Sequence, residues 1–154
     1  MKKIKKLLKP YYLFAFFIPF FILFLTYFIN GIYWKSDTSP LLGDGFHQYV
    51  IFDVTLRNIL HGTDSIFYTF TSGLGLNFYA LSSYYLGSFL SPLVYFFNLK
   101  NMPDAVYLFT LIKFGLMGLT CFISIKNIFK KICPYYILIL STSYSLMSFA
   151  VSQL

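Results

Sequence analysis

Glutamate is absent from this chain, and its five acidic residues are all aspartates. Arginine and tryptophan occur once each and cysteine twice. Charged residues make up 11% of the sequence, against 58% hydrophobic and 23% aromatic, whereas an average soluble domain carries about a quarter charged residues. So little charge, with a mean hydropathy of +0.69, excludes an ordinary water-soluble domain and points to an all-α membrane protein.

Other absences narrow the reading further. Cys121 and Cys133 lie in or beside apolar segments, with neither CxxC spacing nor a nearby histidine pair, so they read as small buried hydrophobes rather than zinc ligands. No metal site or cofactor is expected, and a requirement for a divalent cation is left open. The formal charge of +7 does not point to nucleic acid, because the lysines flank apolar runs instead of forming a stripe along a polar face. No internal repeat is evident. The opening MKKIKKLLKP resembles the basic region of a secretion signal, but the apolar run after it exceeds a signal's roughly 7–15 residues and lacks a small-x-small cleavage site. It is expected to remain as a membrane anchor.

What is present is a succession of apolar runs. Residues 11–33 carry no charge and exceed the roughly 20 residues that a helix needs to cross about 30 Å of hydrocarbon, with Pro19 as a point of kinking. Further spans are expected over about 78–99, 104–125 and 134–154, with Pro92 marking a kink in the second and Pro103 the start of the third. The lysines before the first span place the N-terminus in the cytoplasm, and an external loop then covers about 35–77. Four spans put KNIFKK, residues 126–131, outside, whereas its lysines call for the cytoplasm. A re-entrant or split run over 78–99 removes that conflict. The chain stops within an apolar run, SLMSFAVSQL, which suggests the N-terminal module of a larger polytopic protein.

The expected loop gathers the polar chemistry. It holds Asp37, Asp44, Asp53, Asp64, both histidines and the arginine, and water outside the bilayer is where such groups stay hydrated. At 100° per residue, His47, Gln48, Thr55 and Asn58 share one arc, while Tyr49, Leu56, Ile59 and Leu60 lie roughly opposite. This pattern predicts an amphipathic helix over 46–61 lying on the membrane surface. Asp53 and Arg57, four apart with the acid first, add about 0.2–0.5 kcal/mol if exposed.

Asp44 stands in GDG, where spacing alone favours a turn or helix N-cap. The functional alternative is a carboxylate presented by flexible glycines at the outer face, beside His47 and Gln48. One carboxylate suffices for sugar transfer from a lipid phosphate, because the leaving group is already a stable anion. Glycoside hydrolysis usually needs two. A base of this kind contributes about 10²–10⁴-fold. His47 and His61 read more readily as surface hydrogen-bonding groups than as ligands. TSGLGLNFYA, residues 71–80, reads as a tight turn or, more weakly, as backbone amides approaching a phosphate or sugar. Lys113 lies about nine residues, or about 14 Å, into the third apolar run. A lysine at that depth costs roughly 2.5–3.5 kcal/mol on insertion scales and calls for an anionic partner or a hydrated cavity, unless the helix boundary is shifted.

Three motifs in succession, GDGFHQY, then FYTFTSGLGLNFYALSSYYLGSFLSPL, then LIKFGLMGLTCF, resemble the bacterial YfhO family over most of residues 42–122. The resemblance implies a GT-C-like membrane glycosyltransferase, with Asp44 as catalytic base. It further implies a polyprenyl-phosphate-linked sugar donor on the outer leaflet and a cell-envelope polymer acceptor such as lipoteichoic or wall teichoic acid. Arg57 and Lys113 are candidates for holding the donor phosphate, and His47 and Gln48 for orienting sugar or acceptor hydroxyls. The expected partners are therefore membrane lipid, the lipid-linked sugar and the polymer, without nucleic acid. A transporter or lipid flippase, and a non-catalytic membrane accessory protein, remain as alternatives.

Overall fold

The computed structural model describes residues 2–41 and 45–148. It divides into two compact units, one of Met1–Tyr33 with Thr110–Leu154 and one of Trp34–Phe109. Among the described residues the long elements are helical.

In the first unit, α1 runs Lys2–Ile29 and continues through Pro10 and Pro19. It stops because Gly31 adopts φ 77°. That left-handed residue lets Gly31 N–H donate to Phe28 O at 3.1 Å and Ile32 N–H to Tyr27 O at 2.9 Å, the paired bonds of a Schellman stop. The second long helix, α4, spans Met102–Ile128 and enters this unit at Thr110. It starts where Pro103 predicts, since a proline in the first turn lacks only an N–H that would have no helical partner. Pro10–Ile29 and Leu99–Ile128 are long and apolar enough to cross a membrane.

Helices α1 and α4 meet in antiparallel register. Tyr11 stacks on Phe122 with centroids 6.5 Å apart, and Tyr12 meets the same ring edge-on at 5.3 Å. Further along α1, Ala15 and Pro19 lie against Gly118, and Phe16 lies against Gly115. As numbering rises on α1 it falls on α4, so the lysines before Pro10 and those of residues 126–131 share one end of the pair. Small residues at this seam let the backbones approach, which matters where lipid offers no hydrophobic drive for association. The third helix of the unit, α5, covers Pro134–Ser145, and its Ile137 and Leu138 complete a core with Ala15 and Phe122. Its twelve residues rise about 18 Å, less than a full span. The expected span over 134–154 ends on residues outside those described.

The second unit holds α2, Val50–Leu60, preceded by a π-helical turn over Gly45–Tyr49, and α3, Phe78–Tyr85. Two 3-10 turns follow, Ser91–Phe96 and Leu99–Asn101. The single helix expected over 78–99 is therefore not formed. Its first piece has eight residues and ends as Leu86 N–H returns to Ser82 O. Beyond it, the Ser88 hydroxyl takes the Leu90 N–H at 3.3 Å, and Pro92, with no N–H to give, sits in the first turn of a 3-10 helix. Serine side chains that compete for backbone bonds, together with Gly87 and Pro92, outweigh the apolar composition. With this run broken, no further span-length helix stands between α1 and α4 among the described residues.

The chain enters the second unit through Lys35, whose φ of 61° is unusual for a residue with a side chain. Its N–H donates to Asp104 Oδ1 at 2.9 Å, so a carboxylate in the first turn of α4 holds that bend. The ring of Phe97 bridges Trp34 and Phe109 at 6.3 and 5.6 Å in the same unit.

A methyl group added at Gly118 would overlap the Ala15 carbonyl, which is backbone and cannot swing aside, whereas one at Gly115 would meet the edge of the Phe16 ring at 2.8 Å. Gly118→Ala is expected to lower stability by about 1–3 kcal/mol, as overpacking does, and Gly115→Ala by less. Thermal unfolding of the two variants in detergent checks the order, and equal melting temperatures would contradict the seam.

Candidate functional site

Asp44, the proposed base, lies outside the described residues. The chain resumes at Gly45 in the π-helical turn that carries His47 and Gln48, the first exposed and the second half-buried. Arg57 follows on α2 about ten residues later, roughly 15 Å along the axis, so one anionic group does not reach both ends of the predicted set. Lys113 is exposed on α4 and belongs to the other unit.

The amphipathic pattern expected over 46–61 is altered in the structure. Thr55, assigned to the polar arc, is 1% exposed, and Phe52 and Asp53 are buried beside it, while Tyr49, Ile51 and Leu60 are exposed. Two physical causes account for this. The π turn closes through i→i+5 bonds, so 100° per residue does not carry the phase from His47 to Thr55. The Thr55 hydroxyl is also satisfied inside the unit, 2.9 Å from Ile51 O and 3.1 Å from Thr71 Oγ1, which in turn is 2.8 Å from Thr69 Oγ1. Buried hydroxyls with partners cost little, so this face can turn inward.

That hydroxyl chain fastens α2 to the hairpin of TSGLGLN. Thr69 and Leu76 exchange both backbone bonds, at 2.9 and 3.0 Å, and Gly75 N–H donates to Ser72 O at 3.1 Å. These amides close the turn and are not aimed at a ligand. Gly75 has φ 106° and lies against the Tyr68 phenol, so any side chain there would collide, whereas Gly73, at φ 57°, faces open space. Leu74 at the tip is 99% exposed. Asn77 then caps α3, its Oδ1 accepting from Tyr79 N–H at 2.9 Å. The asparagine of the motif thus has a backbone role.

Arg57 is half-buried, and its Nε–H donates to the carbonyl of Phe97, just past the 3-10 turn Ser91–Phe96. One turn further, His61 Nδ1 lies 2.8 Å from Arg57 O; a carbonyl only accepts, so Nδ1 is the donor. The imidazole stacks on Tyr95 with centroids 4.4 Å apart and planes at 18°. His61, Tyr95 and the Phe97 carbonyl are partners that the sequence does not reveal, being up to 40 residues from Arg57.

Of the described aspartates, Asp37 and Asp64 are exposed, Asp53 is buried and Asp104 holds Lys35. No three His, Cys, Asp or Glu side chains gather as a metal site among the described residues. From Ser65 to Leu99 the sequence has no charge, and the unit exposes Phe67, Phe70, Leu74, Phe89 and Phe96 from this stretch. An exposed apolar surface of this kind marks a lipid, ligand or protein contact.

Replacing Asn77 with alanine is expected to cost about 1 kcal/mol through the lost cap, while Asn77→Ser retains most of it. Hydrogen exchange over residues 78–85 reports the difference, and equal protection in both variants would contradict the capping role.

The comparisons agree with the helical architecture and the apolar spans. Neither a curated protein nor a solved structure matches the chain. The family described as bacterial membrane protein YfhO matches residues 15–154, which cover most of the first candidate span, all of the second and the whole of the second unit. On this match, the chain belongs to the YfhO family of bacterial membrane proteins.

Proposed function

We propose that the protein serves as a membrane glycosyltransferase that moves a sugar from a polyprenyl-phosphate donor to a cell-envelope polymer such as lipoteichoic or wall teichoic acid. The observation that carries this reading is a compact unit set in the chain between two span-length helices, combining an uncharged apolar surface with all five aspartates. A lipid-linked donor and a polar acceptor meet at such a boundary.

The antiparallel pair supports the topology that this reading needs. Both lysine groups lie at one end of α1 and α4, which by the positive-inside rule is the cytoplasmic end. The chain leaves α1 at the opposite end, which supports a cytoplasmic N-terminus and an external position for the aspartate-bearing segment.

In the reaction, an acceptor hydroxyl oxygen forms the bond to the anomeric carbon while the bond from that carbon to the donor phosphate breaks. Asp44 takes the hydroxyl proton, and the polyprenyl phosphate departs with the bonding electron pair. Charge-assisted contacts stabilise the leaving anion, with the Arg57 guanidinium as the candidate within the second unit. Arg57 is already oriented by Phe97 O. In this reading His47 and Gln48, on the turn that follows Asp44 in sequence, orient sugar or acceptor hydroxyl groups.

The test is Asp44→Asn in the complete reading frame, expressed in cells lacking the activity, with polymer-linked sugar as the readout. Loss of a base predicts a fall of about 10²–10⁴-fold at matched protein level. Unchanged glycosylation would refute the catalytic assignment and favour a transporter or accessory protein.

A further inference from the structure

The antiparallel seam brings together two lysine groups that stand more than a hundred residues apart in sequence, those of MKKIKKLLK and those of KNIFKK. The first unit contains no aspartate or glutamate, since every acidic residue lies between Asp37 and Asp104. No carboxylate side chain of this unit therefore neutralises that end.

The second group is held in a defined turn. Lys126 Nζ donates to Lys130 O at 3.3 Å and to Ile132 O at 3.0 Å, so its ammonium closes the chain beyond α4. Lys130 and Lys131 are exposed on this turn, and the hydrophobic Ile128 and Phe129 beside them are exposed as well. Cations next to apolar side chains at the end of a span-length helix match the boundary between phosphate headgroups and acyl chains.

We propose that the lysine end of the α1–α4 pair is a docking surface for anionic phospholipid headgroups. The ammonium groups of Lys130 and Lys131 engage lipid phosphates, and Lys126 keeps them presented by capping the turn. Charge complementarity selects the occupant: a cluster of lysines with no acidic residue in its own unit, at a hydrocarbon boundary, fits a phosphodiester anchored in that boundary. The proposal is independent of sugar transfer and of which side of the cell membrane this end faces.

The experiment uses the full chain in nanodiscs of phosphatidylcholine, with spin-labelled phosphatidylglycerol or spin-labelled phosphatidylcholine as the probe. The expected result is preferential association of phosphatidylglycerol, weakened at 0.5 M salt by screening. Lys130→Gln with Lys131→Gln should lower the preference by up to about fivefold per lysine, the ratio equivalent to about 1 kcal/mol for each lysine at an anionic surface. The doubly arginine-substituted variant should keep it, and Lys35→Gln with Lys100→Gln, in the other unit, should leave it unchanged. Equal association of the two lipids with the unmodified protein would overturn the proposal, as would a preference unaffected by the glutamine pair. Loss of the preference to millimolar inorganic phosphate would also overturn it, by showing a general anion site. If the glutamine pair fails to fold, the lipid preference and salt response of the unmodified protein still decide.

Discussion

Two helices in hydrocarbon gain nothing by hiding apolar surface from each other, because the lipid is equally apolar. Their association depends on close contact, and in this chain the contact is Gly118 against the backbone of Ala15 and the ring of Pro19. The aromatic contacts of Phe122 with Tyr11 and Tyr12 extend the same seam by a turn. Direction is the consequence that matters most. Once α1 and α4 are antiparallel neighbours, Ile29 and Thr110 lie towards one end of the pair and both lysine groups towards the other.

The connecting unit is held by a different kind of interaction. Its apolar surface is only partly turned inward, with Leu74 and several phenylalanines exposed, so polar contacts of known geometry define it. The hydroxyls of Thr55, Thr69 and Thr71 tie a helix to a hairpin. Asn77 starts α3, Gly62 at φ 76° ends α2, and Asp104 secures the bend at Lys35. Each bond is worth about 1 kcal/mol net. Together they give a chain segment without long helices a definite form while leaving its uncharged aromatic surface outward.

The parts of this architecture legible in the sequence were those set by local rules. Unbroken apolar length marked α1 and α4, Pro103 and Pro134 stand at or next to the helix starts expected of them, and the tight-turn reading of GLG agrees with the hairpin. Composition failed where backbone competition decided: residues 78–99 are apolar enough to suggest a span, yet Ser88, Gly87 and Pro92 divide them. Helical phase failed at 46–61 because a π turn changed the angular step, which turned Thr55 inward. Arg57 was legible as a cation but not as the partner of Phe97 O, a pairing that only tertiary folding creates. The family motifs were likewise visible, whereas the cap formed by Asn77 and the close approach of Gly75 to Tyr68 needed the fold to explain them.

Sidedness is the point on which the account rests. With Cys121 and Cys133 replaced by serine, single cysteines at Thr63 in the connecting unit and at Asn127 beside the lysines can be probed in intact cells with a membrane-impermeant maleimide. The account predicts labelling at position 63 and protection at position 127 until the membrane is permeabilised. Labelling at 127 from outside, or protection at 63, would contradict it.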